Sequence, residues 1–453
     1  MSTDTGRHDV TAVTEGNWGA YLSEMGPSWV AGAVAAGPAT MASVVTAGAT
    51  FGYALLWVVV LSAVLGAVAQ YLAMRLGLLT ESGIVAVVER HLGEGWAWLL
   101  VADTVLAAGL AQLVIMKGLA DVSAAVTGVD ARVWGVLWAV VLAAGLAGRG
   151  YRFVELLAKL LVSAVVLAFL ASLFVVPVDP GSAAAGLVPR VPAGVDGALV
   201  AAGVLGGAVH VTLITMHSYT MRAREWTGRE YGLATFDVGA SMLVAFGVYS
   251  LAIFLVAAGV LHSPEVEAGG LTAVAAAQAL GPLVGPNAKW LFLLGLWGAA
   301  VSTLGGNTVV PPYLLADKLG WGTDVSDARY RALLVAVALL SGVGAFLGGA
   351  FFPLLVLVLA FGLVGTPFAI AVVLYLLNSE AVPEPNSLSA NLGGVVLLGV
   401  AAVLAGNFVR TRALPQLGDP LPTFVAAFAA ALGVATLVLV GRYARETLGG
   451  EAV

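Results

Sequence analysis

The chain has 453 residues, of which 60% are hydrophobic and only 10% charged, with mean hydropathy +0.98 and a formal net charge of −6. A soluble domain carries about 25% charged residues, so a water-soluble globule is excluded and the composition reads as a polytopic membrane protein. The absence of cysteine excludes disulfides, thiolate metal ligands and a cysteine nucleophile, and the charge pattern shows no basic patch of the kind that binds nucleic acid.

Residues 1–25 hold Asp4, Asp9, Glu15 and Glu24 against Arg7, which reads as a polar tail rather than a signal peptide. A spanning helix needs about 20 apolar residues. On that measure the sequence predicts twelve spans, near 26–47, 50–77, 95–119, 132–148, 153–177, 197–220, 232–261, 286–314, 329–349, 351–377, 389–407 and 420–441. The expected division is 1–25 tail, 26–178 first five-helix repeat, 179–196 loop, 197–378 second repeat and 379–453 two extra helices with a short tail. Glycine stands at 57 positions, nearly twice the usual share of about 7%, and most of it is expected to serve close helix packing. An even number of spans puts both termini on one side. That side holds fourteen of the twenty Lys and Arg, the other six, so the bias of basic residues toward the cytoplasm predicts cytoplasmic termini.

Two spans are interrupted. The first, in "VAGAVAAGPATMASVVTAG", carries Gly37-Pro38-Ala39-Thr40 in its middle. The sixth, "AAGVLGGAVHVTLITMHSYT", carries Gly206-Gly207 followed by His210, Thr212, Thr215 and His217. Paired broken helices at matching places in two repeats point to a midplane binding site. Lipid leaves a freed carbonyl or N–H unsatisfied, so unwound backbone persists only where it lines a cavity or is bonded by another group. Pro38 has no N–H and its ring excludes a continuous helix. The carbonyls near Val34 to Gly37 are therefore candidate ligands, and the half-helix expected from near Thr40 presents free N–H groups. For His210 two readings stand, as a ligand or as a cap on a freed carbonyl of the first span. Glu155 and Lys159 at i, i+4 read as a structural ion pair.

The stretches "GPSWVAGAVAAGPATMASVVTAGATFGYALLWVVV", "AAGVLGGAVHVTLITMHS" and "ATFDVGASM", and less closely "AAVSTLGGNTVV" and "LAFGLVGTPFAI", resemble the Nramp (natural resistance-associated macrophage protein) family of metal-ion transporters. The resemblance implies an all-α fold of two inverted five-helix repeats, shared with amino-acid/cation symporters, with broken helices one and six. It also implies a substrate site at Gly37, Pro38, Ala39, Thr40, Gly207, His210 and Thr212, and a polar path through His217, Asp237 and Asn307. The departures are chemical. Where the family has Asp-Pro-Gly-Asn, this chain has Gly37-Pro38-Ala39-Thr40; where it has Met-Pro-His, this chain has His210-Val211-Thr212, with Gly207 for a preceding alanine. In the third span Gly109-Leu110-Ala111-Gln112 stands in for a motif with two acids, and in the tenth Val356 replaces a glutamine.

What remains is neutral: carbonyls, the Thr40 and Thr212 hydroxyls and the His210 imidazole. Manganous or ferrous ion would lose most of its first shell there. The expectation is a multi-pass secondary transporter whose substrate is a metal cation, with altered selectivity and weak or absent proton coupling. Any metal would be held by His210 and Thr40 with backbone carbonyls. The alternatives are a small organic solute, suited by the space that Gly37, Ala39 and Gly207 leave, and a transport-inactive sensor. An enzyme is not expected, since no nucleophile–base pair stands out. No cofactor is expected; the partners are the substrate and the lipid bilayer.

Overall fold

The computed structural model describes residues 37–148, 151–263 and 266–449. Helix α1 (Pro38–Phe51) turns through Gly52–Leu55 into α2 (Leu56–Thr80). A short amphipathic helix, α3 (Ile84–Leu92), leads into the long α4 (Glu94–Thr127), then α5 (Ala131–Ala147) and α6 (Tyr151–Ser172). Helices α7 (Val195–Ala208) and α8 (Val211–Ala223) are two halves of one interrupted span. The next span runs through α9 (Tyr231–Gly239), a π-helical stretch at Ala240–Phe246, and α10 (Gly247–Val260). Then come α11 (Ala288–Thr308), α12 (Val310–Leu319), α13 (Ala328–Ser341), α14 (Phe351–Leu377), α15 (Leu388–Phe408) and α16 (Pro420–Gly449).

Among the described residues, nine helical stretches are long and apolar enough to cross a membrane, and two shorter apolar helices cover Ala131–Ala147 and Leu156–Ser172. The first stretch, Pro38–Thr80, contains what the sequence divides into most of two spans. Burial orders the bundle. In α14, 94% of the most apolar window is buried, and in the α7–α8 span 89%, whereas in α16 the share is 22%. Helix α14 therefore forms the axis, with α7 and α4 packed along it, and α16 lies at the rim. The α14 sequence is apolar on every side, as a fully enclosed helix must be.

The break in the sixth span is present, and α1 begins near where the first span was expected to open, each displaced from its expected place. Pro38 is the first residue of α1, two residues before the expected start, because a proline is best tolerated at N1, where the missing N–H has no intrahelical partner. In the sixth span the helix continues through Gly206-Gly207 to Ala208, and the backbone opens at Val209-His210 instead. Gly206 serves packing: a Cβ there would stand 2.2 Å from the Leu359 carbonyl oxygen of α14. The carbonyls of Val34, Ala35 and Ala36 and the side chain of Glu155 lie outside the described residues.

Candidate functional site

The opening between α7 and α8 is held from the axis helix. Thr366 of α14 donates its hydroxyl to the Val209 carbonyl at 2.8 Å, replacing the helical donor that the break removes. The next residue, Pro367, sits inside α14 and interrupts that helix's own ladder. In the sequence this threonine is marked only by its hydroxyl next to a proline within the apolar stretch "LAFGLVGTPFAI".

His210 is the N-cap of α8. Its Nδ1 lies 2.8 Å from the Thr212 hydroxyl and 3.4 Å from the Thr212 backbone N–H. The ring thus organises the start of its own half-helix, and among the described residues it caps no carbonyl of the first span. It is 5% exposed, and its Nε2 is buried with no hydrogen-bond partner among the described residues. The tautomer follows from Thr212. With the proton on Nδ1, shared with the Thr212 hydroxyl, Nε2 presents a lone pair to the interior, the form that binds a metal. With Nδ1 accepting from the backbone N–H, Nε2 becomes a donor. Thr212, expected as an independent ligand, is in place as the partner of the imidazole.

Around this ring the other site residues divide. The Thr40 hydroxyl is buried and unpartnered, as a candidate ligand would be. Gly37 is the N-cap of α1, its carbonyl accepting from the Met41 N–H at 3.1 Å, and the Ser43 hydroxyl donates back to the Ala39 carbonyl at 2.9 Å. At Gly207 an added Cβ would find Leu359 and Ser43 at 3.9 Å among the described residues, ordinary van der Waals contact with α14 and α1.

The expected polar path is only partly continuous. His217 lies two turns beyond His210 on α8, with its Nε2 buried and unpartnered. Asp237 is engaged elsewhere, 3.1 Å from the guanidinium of Arg224. Asn307 is a brace: its amide donates to the Ala108 carbonyl at 2.8 Å and to Gln112 Oε1 at 2.9 Å. Gln112 in turn donates to Thr308 Oγ1 at 2.7 Å, so neutral amides tie α4 to α11 where the family pattern has acids. One acid on α4 is nearer the opening than sequence spacing revealed. Asp103 is 1% exposed and presses against Gly365 of α14. Among the described residues no three His, Cys, Asp or Glu side chains gather in a group that could hold a metal.

A span split at mid-bundle, its freed carbonyl bonded by a neighbouring helix and an unpartnered imidazole at the gap, defines a membrane transporter built on discontinuous helices. The Nramp family profile, described as natural resistance-associated macrophage protein-like, matches residues 28–411. The chain belongs to this family and is a multi-pass membrane transporter of the metal-cation class. The divalent metal cation transporter MntH of Mycobacterium tuberculosis is 29% identical over 372 residues, covering 79% of this chain and 84% of that one. A manganese transporter of Eremococcus coleocola superposes with a TM-score of 0.68 over 94% of both chains, at 16% identity. A nucleobase-cation-symport-1 family transporter, Mhp1, superposes at 0.55 over 93% of this chain and 92% of that one, at 15% identity. These two likenesses establish the fold.

Proposed function

We propose that the protein is a secondary transporter carrying a metal cation through the site at Gly37–Thr40 and Gly207–Thr212, with selectivity altered from that of its relatives and weak or absent proton coupling. The observation that carries this reading is the buried, unpartnered Nε2 of His210 at the gap between α7 and α8. An imidazole nitrogen suits a borderline divalent ion, but a set without carboxylate or thioether at the break leaves that ion much of its water. The relatives named above are a divalent metal cation transporter and a manganese transporter, which supports a cation as substrate. Both termini face the cytoplasm, and residues 26–178 and 197–378 are the two repeats. The chemistry is transport, without catalysis.

Uptake of manganous ion into proteoliposomes, with and without an imposed pH gradient, tests the reading. Uptake that is weak in manganese and indifferent to the gradient is expected. Robust proton-linked manganese transport overturns it. A second reading, transport of a small organic solute, is favoured by the small side chains of Gly37, Ala39 and Gly207 around the break; saturable binding of a neutral solute, with no cation bound, selects it.

A further inference from the structure

His210 and Asp103 press into the same side of α14. A Cβ on Gly362 would stand 2.1 Å from His210 Nε2, and a Cβ on Gly365 would stand 2.2 Å from both carboxylate oxygens of Asp103. Residues three apart on a helix have Cβ atoms about 5–6 Å apart, so the imidazole and the carboxylate are no more than about 10 Å from each other. The elements agree: α8 packs against both α4 and α14, and α4 against α14. Asp103 makes no ion pair among the described residues, and its Oδ2 is buried without a hydrogen-bond partner. The neighbouring Thr104 hydroxyl is also buried and unpartnered. The nearest basic residue along α4, Lys117, is committed to Asp121 at 3.0 Å.

An ionisable group buried at membrane depth is costly unless a partner of opposite charge meets it. Among the described residues no side chain does so. We propose that Asp103 is a cation-binding residue: it supplies, from α4, the negative charge that the broken first span lacks, and holds a divalent cation together with His210 in the notch over Gly362 and Gly365. This rests on the cation reading of the site. It relocates the counter-charge from the helix break to a neighbouring helix, and the two glycines are the reason both groups reach the same place.

The test is manganous-ion binding to the purified full-length protein, followed by calorimetry, for the wild type, Asp103→Asn, Asp103→Glu and the control Asp121→Asn. A full charge at this separation predicts an affinity loss on the order of 100-fold in Asp103→Asn. Asp103→Glu should recover most of it, and Asp121→Asn should bind as the wild type does. Wild-type binding with Asp103→Asn unchanged overturns this inference and leaves the cation reading standing. A wild type that binds no cation overturns the cation reading, and this inference with it. Should Asp103→Asn not fold, an apolar carbodiimide applied to the wild type decides the matter. Manganese protecting Asp103 from modification supports the assignment, and equal modification with and without manganese overturns it.

Discussion

The imidazole of His210 fills the notch that Gly362 leaves open: any side chain at that position would place its Cβ 2.1 Å from Nε2. Ring and glycine therefore act as one unit, and Gly362→Ala should displace the ring without touching its chemistry. The expected result is a loss of cation affinity as large as that of His210→Ala, with the double variant no worse than either single one, since coupled neighbours are not additive. Calorimetric titration of the three variants measures this; additive losses would show that ring and glycine act separately.

Thr212 sets the state of that ring. Its hydroxyl lies 2.8 Å from Nδ1, and in the tautomer in which it accepts the Nδ1 proton the Nε2 lone pair is directed inward. Outer-shell partners of a ligating histidine are typically worth about 10–100-fold in metal affinity. Thr212→Val should weaken cation binding by about tenfold, while Thr212→Ser should retain it. Equal affinities in all three proteins would mean that the imidazole does not ligate.

The gap at Val209 depends on a hydroxyl from another helix. Removing it by Thr366→Val leaves a buried carbonyl unpaired, at a cost of about 1–3 kcal/mol. The apparent unfolding temperature in detergent should fall, and Thr366→Ser should restore it. An unchanged melting profile in Thr366→Val would show that another group bonds the Val209 carbonyl.

How far the sequence speaks depends on the kind of signal. Apolar runs of spanning length are local, and so most of the helices and the interruption of the sixth span were legible. Pro38 announces a helix start through its own ring, and His210-Val211-Thr212 announces polarity where lipid tolerates little. The position of the second break was misread because glycine serves two ends. Gly206-Gly207 looks like a hinge in one dimension, yet Gly206 is a contact surface for the Leu359 carbonyl. The brace of Gln112, Asn307 and Thr308 joins residues nearly two hundred positions apart, and no periodicity reports such a pairing. That Asp103 of α4 and His210 of α8 both press on α14 is a fact of packing alone.

The brace itself yields a separation of roles. Asn307 was a candidate for the polar path, but its amide bonds Ala108 and Gln112. Asn307→Ala removes a second hydrogen bond from the Ala108 carbonyl and the partner of Gln112 Oε1, and should cost about 1–3 kcal/mol of stability. Cation affinity should be unchanged within error. Thermal unfolding and titration on the same preparation distinguish the two roles: affinity lost with stability intact would place Asn307 on the path after all.

At the end of α8 away from the break, Asp317 gathers three elements. Its carboxylate accepts from the Tyr219 hydroxyl at 2.6 Å and from the Ala86 backbone N–H at 3.3 Å, and nearby the Ile84 N–H donates to Ser218 at 3.0 Å. These bonds tie α8 and α12 to the start of α3, across the end through which His217 would meet the aqueous phase. A hydrogen bond to a charged group contributes about 1.5–3 kcal/mol, enough to shift an open–closed equilibrium by tenfold or more. Because the chain has no native cysteine, His217→Cys provides a single reporter without background. A water-soluble thiol reagent should modify that cysteine about tenfold faster once Tyr219→Phe is added. Equal rates with and without Tyr219→Phe would mean that these contacts brace the fold and do not close the path.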